Sequence, residues 1–411
     1  MSQTVPTSAR TRALSLSLTA LPLALVLSLS GCPRAEPNVP PISEEGDRAT
    51  SRAALAAAAG ECILGETRQF NERAQALDAA VQAWGASPDA TTLATARAAF
   101  DDAMNVWQRL EVMQVGPLAR KTSPGGGDLR DHVYSWPLTS RCAVEEQIVS
   151  QSYAAPDFGT QVLTRRGLDA LEYLLFHEGE TTACPSTSKI VAQGTWAALT
   201  PSERAERKRA YAAAVTTDLR GRAETIVTAW APEGGDFLAT MKSAGPGNAV
   251  FPTTQSALNA LSDAIFYLEA EVKDMKLAKP LGLRECELDT CPEFLESRHA
   301  RKSALWMRAN LEGAQKLLLG CGEENAGTGF DDLLEAYGAG ELAGRLRAEP
   351  AKVHAALEAL GNEDFAPALA TDKAKVRAVY DALKGLTDLL KVDMIGVLDL
   401  ELPQTIEGDN D

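Results

Sequence analysis

Apolar side chains recur every three or four residues through most of this chain, and this spacing limits its fold more than any other feature. In residues 90–113 the repeated positions are Leu93, Ala96, Phe100, Ala103, Trp107 and Leu110. In residues 253–275 they are Leu258, Leu261, Ile265, Leu268 and Val272. This period places side chains on one face of an α-helix, whereas the sustained alternation typical of strands is missing. We predict an all-α fold built from helical bundles.

The same reasoning predicts several more helices and divides the helical part of the chain into two halves. The other predicted helices cover residues 51–84, 140–152, 158–176, 200–231, 298–319 and 372–391. A glycine- and proline-rich stretch, Ala244-Gly245-Pro246-Gly247, interrupts them. We therefore predict an N-terminal helical half over 51–245, a C-terminal half over 246–402, and an acidic tail over 403–411.

The charge balance excludes one class of partner. The 411 residues include 56 acidic and 40 basic side chains, which gives a formal net charge of −16. A surface that binds nucleic acid needs positive charge over the phosphates. We therefore expect no nucleic-acid partner.

The first 31 residues have the pattern of an export signal. They contain no acid, and Arg10 and Arg12 precede an apolar run that ends in Leu29-Ser30-Gly31-Cys32. This ending resembles a bacterial lipobox, in which the cysteine receives a lipid. The alternative is a transmembrane anchor, but a run of about 16 residues is shorter than the roughly 20 that span a bilayer. We predict a signal peptide over 1–31 and a membrane anchor through a lipid on Cys32.

Residues 32–50 are rich in proline and contain little that packs, which predicts an extended tether. Pro33, rather than aspartate, follows the predicted lipidated cysteine. By the sorting habit of Gram-negative lipoproteins, this indicates the outer membrane. We expect an exported protein anchored to the cell envelope, at its periplasmic face or on the surface.

An even number of cysteines in an exported protein favours disulfides. The six that follow Cys32 are Cys62, Cys142, Cys184, Cys286, Cys291 and Cys321. Only Cys286 and Cys291 are close in sequence, so they are the first predicted pair. A thiolate metal site is the alternative, but the CxxC-type spacing it needs is missing.

Two carboxylates on one predicted helix are the candidate site. Asp169 and Glu172 are three residues apart, so they project from adjacent turns on the flank of an apolar stripe. Such a pair can hold a hard or borderline cation through its oxygens. The alternative is a surface ion pair between Asp169 and Arg165, four residues earlier. Signatures of zinc proteases, nucleophile elbows and phosphate loops are missing.

The segment around these carboxylates resembles the signature helix of the imelysin family, Gly-x-His-x-x-Glu followed by Tyr-Leu-Leu and an aromatic residue. Gly167, Glu172 and residues 173–176 match that pattern. Further matches follow in family order over residues 90–400. They are Val106-Trp107-Gln108-Arg109 with Gly116-Pro117, Ser135-Trp136-Pro137-Leu138, the segment from Lys276 to Pro280-Leu281-Gly282, Glu296-Ser297, and Arg308-Ala309-Asn310-Leu311-Glu312-Gly313.

The resemblance implies two bundle-like helical domains with a cleft between them, a link to iron acquisition, and a metallopeptidase assignment. The family's proposed metal ligands, a His and a Glu, fall on Asp169 and Glu172. A carboxylate in place of imidazole prefers harder cations and removes a group that titrates near neutral pH. This argues more strongly against peptidase activity than against binding.

Our first hypothesis is therefore a non-enzymatic lipoprotein that binds a metal ion or metal complex, iron-related, and works with other envelope uptake components. The alternatives are a divergent metallopeptidase of the family and a surface adhesin or scaffold with a vestigial site.

Five more side chains are candidates for lining the cleft. Trp107 and Trp136 either line the cleft or pack in the core. Asn259 and Asp263 either face Glu172 across the cleft or are solvated. His177 is a candidate replacement for the missing imidazole.

Overall fold

The protein is helical throughout the part of the chain that the structure, a computed structural model, describes. This part comprises residues 45–361 and 363–403, is 70% helical and contains no strand, which confirms the all-α prediction. The α-helices are α1 Glu45–Ala86, α2 Ala90–Glu111, α3 Leu129–Val133, α4 Arg141–Ser150, α5 Gly167–Phe176, α6 Lys189–Ala192, α7 Thr195–Ala198, α8 Pro201–Trp230, α9 Phe237–Lys242, α10 Thr254–Ile265, α11 Ser303–Leu319, α12 Phe330–Ala336, α13 Gly340–Glu358, α14 Phe365–Thr371, α15 Lys373–Asp388 and α16 Ile395–Leu398.

Two of the long helices begin with side-chain caps that the sequence supplies. Before α2, Asp89 Oδ1 accepts a hydrogen bond from the Thr92 amide at 2.8 Å. Before α8, the Thr200 hydroxyl accepts from the Glu203 amide at 3.2 Å, and Glu203 Oε2 accepts from the Thr200 amide at 2.8 Å. These capping boxes satisfy amides that the first helical turn leaves without a partner.

Helix α1 is the longest helix of the described part and contacts helices from both sides of residue 245. It packs against α2, α8, α9, α10 and α12, and the buried apolar side chains form one continuous core. The predicted boundary near residue 245 stays a prediction.

Helix α11 approaches α2 closely at Gly313, where an added Cβ would lie 2.4 Å from the Arg109 carbonyl oxygen. Only glycine permits this approach.

Helix α5 is shorter than the predicted helix over 158–176. It begins at Gly167, whose φ of 83° lies in the left-handed region and breaks the helix that the apolar spacing suggested. A Cβ at this position would lie 2.5 Å from the Val133 carbonyl oxygen. The signature glycine therefore sets both the start of α5 and its close contact with the segment before Tyr134.

Two other predicted helices also differ in their bounds. The helix predicted over 253–275 is α10 followed by a π-helical segment, Leu268–Ala278. The helix predicted over 298–319 begins only at Ser303, because Arg301 has a φ of 58°. Helices α12 to α14 lie outside the predicted ranges. A second π-helical segment, Leu389–Met394, continues α15.

All six cysteines of the described part form disulfides. Cys286 pairs with Cys291, as predicted, and the other two bonds are Cys62–Cys321 and Cys142–Cys184. The first of these two ties α1 to the residues that follow α11, and the second ties α4 to the loop that follows α5.

Some predictions fall on residues that the structure does not describe. The signal peptide over 1–31, Cys32, most of the tether over 32–50, and the tail beyond residue 403 lie outside the described residues. Helix α1 begins at Glu45, inside the predicted tether. Within residues 45–361 and 363–403, no helix has the length and apolar character needed to cross a membrane.

Candidate metal-binding site

A cavity of about 150 Å³ opens beside α5. Its walls come from the turn after α3, from α4 and α5, from the end of the π-helical segment, and from the loop before α11. Both sides of the predicted boundary near residue 245 thus contribute to it. Three buried acidic side chains, Asp169, Glu172 and Glu296, line the cavity together. We call these three groups the cavity carboxylates.

Asp169 lies on the first turn of α5 and is 9% exposed. Its Oδ2 accepts a hydrogen bond from the Thr139 hydroxyl at 3.2 Å. Burial raises the pKa of Asp169 well above its ordinary value, and the nearby Glu172 and Glu296 raise it further. Among the described residues no ion pair joins Asp169 to Arg165, so the surface ion pair that the spacing allowed does not form.

Glu172 lies one turn further along α5 and is 4% exposed. Its Oε1 accepts three hydrogen bonds from the loop before α11: from the Ser297 hydroxyl at 3.0 Å, the His299 amide at 3.0 Å and the Ala300 amide at 2.7 Å. Burial nevertheless raises the pKa of Glu172 to about 7. Oε1 is fixed by this loop, and Oε2 is the oxygen left for a ligand.

Glu296 comes from the loop before α11 and has one satisfied and one unsatisfied oxygen. Oε1 contacts Lys276 Nζ at 2.7 Å and accepts from the Tyr134 hydroxyl at 2.7 Å and from Gln108 Nε2 at 2.9 Å. Oε2 is buried and has no hydrogen-bond partner among the residues that the structure describes. Burial raises the pKa of Glu296, although Lys276 opposes the rise.

Behind the cavity lies a buried polar cluster that we call the Lys276 network. It consists of Lys276 and the side chains of Gln108, Glu111 and Asn310. The Lys276 ammonium donates to Gln108 Oε1 at 2.8 Å, to Glu111 Oε2 at 2.9 Å and to Asn310 Oδ1 at 3.0 Å. Arg130 contacts the other oxygen of Glu111 at 3.2 Å. Two cations thus face this acid.

The rim of the cavity carries three basic side chains, two of which pair with acids. Arg141, Lys279 and Arg298 line the mouth together with the more exposed Glu293. Arg141 pairs with the buried Glu145 at 2.8 Å, and Lys279 pairs with Glu285 at 2.6 Å. The cavity therefore combines carboxylate oxygens below with basic groups above.

Oxygen donors of this kind suit hard cations, so the donor set fits a metal such as a ferric ion. Within the described residues, a group of three His, Cys, Asp or Glu ligand atoms lying within 4.8 Å of one another occurs only at Cys142, Glu146 and Cys184. Those two sulfurs form a disulfide and are not thiolates. The cavity carboxylates are spaced more widely, which suits a cation that carries water or a chelator of its own.

Comparison with known proteins identifies the family. The model of the family described as Imelysin matches residues 63–392. The chain belongs to the imelysin family. Iron-regulated protein A of Synechococcus elongatus is 24% identical to this imelysin over 246 residues, which are 59% of this chain and 57% of that protein. The chain thus spans just over half the length of this curated relative.

Two solved structures share the fold of this imelysin. An iron-regulated protein A precursor from Parabacteroides distasonis is 18% identical, with a TM-score of 0.66 over 85% of this chain and 94% of that one. An imelysin-like protein from Psychrobacter arcticum is 17% identical, with a TM-score of 0.64 over 87% of this chain and 98% of that one. At these identities the likeness extends to the fold alone.

The two predicted tryptophans have different surroundings in this imelysin. Trp136 is half-buried and lines the cavity, with Lys276 Nζ 5.8 Å from its ring centroid. Trp107 is buried in the core, where its ring centroid lies 4.9 Å from that of Phe70. Trp107 thus packs the interior and does not line the cavity.

The remaining candidates lie elsewhere. Asp263 lines a separate cavity with Glu401, and Asn259 Oδ1 accepts from Gln255 Nε2 at 3.3 Å, so neither faces Glu172. His177 lies on the far side of Tyr173 and contacts Arg141 at 3.1 Å through Nε2. It does not replace the missing imidazole at position 169.

Sequence reasoning missed three groups at the cavity. Glu296 was noted only as part of a Glu-Ser match, and Thr139 follows the Trp-Pro-Leu turn without having been singled out. His299 also lines the cavity, and burial lowers the pKa of its imidazole to about 3. The family matches themselves were the available signal, because Lys276, Glu296 and Asn310 all come from matched segments and meet behind the cavity.

Proposed function

We propose that this imelysin is a non-enzymatic envelope lipoprotein that binds a hydrated or chelated iron-related cation in the cavity and passes it to uptake components. The observation that carries the proposal is the charge of the cavity floor. Three buried carboxylates share the cavity, and Glu296 Oε2 has no partner. The proposed export and lipid anchor rest on the N-terminal pattern of the sequence.

The free-energy cost of burying ionised carboxylates supports a bound cation in the functional protein. Ionised carboxylates are expensive to bury without compensating charge, and their pKa rises instead. Asp169, Glu172 and Glu296 all have raised pKa values, with burial as the leading cause. Lys276 is the cation in contact with this group, and Glu111 shares it. A bound metal ion would supply the balancing charge.

The names of relatives support the choice of iron. The curated relative and one of the similar structures are both described as iron-regulated protein A. The rim cations favour a ferric ion that carries an anionic chelator, since Arg141, Lys279 and Arg298 can attract the chelator while the floor faces the metal.

Titration of the protein without residues 1–32 tests the proposal. Fe²⁺, Mn²⁺ and ferric citrate are titrated by calorimetry into the wild type and into Asp169→Ala and Glu172→Ala. We expect about one equivalent of bound metal in the wild type and a loss of at least about tenfold in affinity in each variant. Asp263→Asn is the control, because this acid lines a different cavity.

Each alternative gives a different result. A divergent metallopeptidase would cleave an unfolded protein such as casein and would lose that activity with a chelator. A scaffold with a vestigial site would bind no more metal than the variants do. Either result would overturn the proposal.

A further inference from the structure

A second cavity, of about 260 Å³, lies beside the first. Tyr173 lines both cavities, so the two are adjacent. The walls of the second cavity are mostly apolar and include two indole rings. The apolar side chains include Trp84, Leu93, Leu174 and Trp196. We call this space the tryptophan cavity.

Three cations also line the tryptophan cavity, and two of them have acidic partners. Arg97 contacts Glu178 at 2.9 Å, and Arg204 contacts Glu180 at 3.5 Å. Both glutamates are mostly exposed, with side chains 80% and 68% accessible, so solvent weakens these pairs.

The third cation, Lys208, has no such partner. Its ammonium donates to the His177 carbonyl and lies 5.1 Å from the Tyr173 ring centroid. Within the described residues, no carboxylate oxygen lies within ion-pair distance of it. Burial lowers the pKa of Lys208 to about 8. Glu178 and Glu145 oppose this fall, and the neighbouring Arg97 and Arg141 add to it.

We propose that the tryptophan cavity binds a small organic monocarboxylate, with its carboxylate on Lys208 and its apolar body against Trp84 and Trp196. The walls provide apolar area for the body, and the ammonium provides the missing counter-charge.

Other ligand classes fit less well. A neutral apolar molecule would desolvate the half-buried Lys208 ammonium further without bringing an opposing charge, which is costly. Inorganic phosphate has no apolar surface to place against the two indoles. A purely structural role is the remaining alternative, since Lys208 and Arg97 donate to the carbonyls of His177 and Leu175 at the end of α5. That role accounts for one donor on each side chain but not for the apolar walls.

Fluorine NMR with 4-fluorophenylacetate tests the proposal, and 2-(4-fluorophenyl)ethanol serves as the neutral counterpart. We expect saturable binding of the acid with Kd at or below about 1 mM, and at least about tenfold weaker binding of the alcohol. Unlabelled phenylacetate should displace the acid.

Substitutions in the tryptophan cavity test whether the acid binds there. Lys208→Met and Trp196→Leu should each weaken binding of the acid at least about tenfold, whereas Lys208→Arg, which keeps the charge, should retain most of it. Lys242→Met, at an exposed lysine paired with Glu61, and Asp169→Asn, in the first cavity, should bind as the wild type does.

Three results would overturn the proposal: no saturable binding of the acid, equal binding of the acid and the alcohol, or full affinity in a folded Trp196→Leu protein. Should Lys208→Met fail to fold, Lys208→Arg and Trp196→Leu still decide the matter. Because Asp169→Asn is part of the series, failure here is distinguishable from failure of the metal proposal.

Discussion

The Lys276 network and the cavity carboxylates are neighbouring groups of buried acids with opposite charge balance. In the network, Glu111 lies between Lys276 and Arg130, and the amides of Gln108 and Asn310 bind the same ammonium. In the cavity, Asp169 has a hydroxyl as its partner and Glu172 has a hydroxyl and two amides, with no cation on either.

Glu296, one of the cavity carboxylates, also contacts the Lys276 network and shows what the difference means. Its Oε1 receives a cation, a hydroxyl and an amide from the network side, and its Oε2 receives nothing. A buried acid with matched partners holds helices together, whereas a buried acid without them retains binding capacity at a cost in stability. The network therefore fixes the geometry, and the proposed cation would bind at the cavity carboxylates.

Removal of the network cation should have the largest effect. Lys276→Met deletes the ammonium shared by Glu111 and Glu296, so Glu296 loses its cation and Glu111 keeps only Arg130. We expect the free energy of unfolding to fall by about 3–5 kcal/mol, as measured by urea denaturation at pH 8. Lys302→Met, which breaks a more exposed pair with Asp101, should cost about 1 kcal/mol or less. Equal losses in the two variants would refute the distinction between the groups.

Glu172 should have the opposite effect on stability, because its pKa in the folded protein is raised. The folded state keeps the proton to about pH 7, whereas the unfolded chain releases it near the ordinary value of 4.5. The associated stability is present below pH 4.5 and is lost as the pH rises to about 7. In the metal-free protein, the free energy of unfolding should fall by about 3 kcal/mol over this pH range.

Denaturation of the metal-free protein between pH 4.5 and pH 8 measures this loss as the difference between the wild type and Glu172→Gln. The variant retains an acceptor for Ser297, His299 and Ala300, so it should become progressively more stable than the wild type as the pH rises. Glu72→Gln, at an exposed position, should follow the wild type. A constant difference across the range would show that Glu172 ionises as an ordinary carboxyl group.

The sequence predicted features that lie within one helix better than the contacts that bring the Lys276 network and the cavity carboxylates together. Periodicity identified α2 and α8, and a three-residue spacing brought Asp169 and Glu172 together, because both signals act within one helix. Glu172 and Ser297 are 125 positions apart, and Gln108 and Glu296 are 188 apart. No local pattern specifies such contacts, which depend on how the loop before α11 packs against α5.

The same limit explains the misplaced candidates. Trp107 and Trp136 are the same residue type. Trp107 lies on α2 and packs in the core, whereas Trp136 lies in the turn after α3 and lines the cavity. The apolar spacing also extended α5 across Gly167, since periodicity ignores a backbone conformation that only a tertiary contact with Val133 requires.

A single substitution tests whether the cavity is tuned to hard cations, and here we expect the smallest effect. Asp169→His restores the family's imidazole and removes one of the cavity carboxylates. Because imidazole suits borderline metals and carboxylates suit hard ones, the ratio of Ni²⁺ to Mn²⁺ affinity should rise by about tenfold, or about 1.4 kcal/mol. Competition titrations at pH 8 measure this ratio. Asp169→Asn, which loses the charge without gaining imidazole, should weaken both metals and leave the ratio near that of the wild type. If the asparagine variant changes the ratio as much as the histidine variant does, the charge of the cavity floor, rather than the type of ligand at position 169, sets the preference.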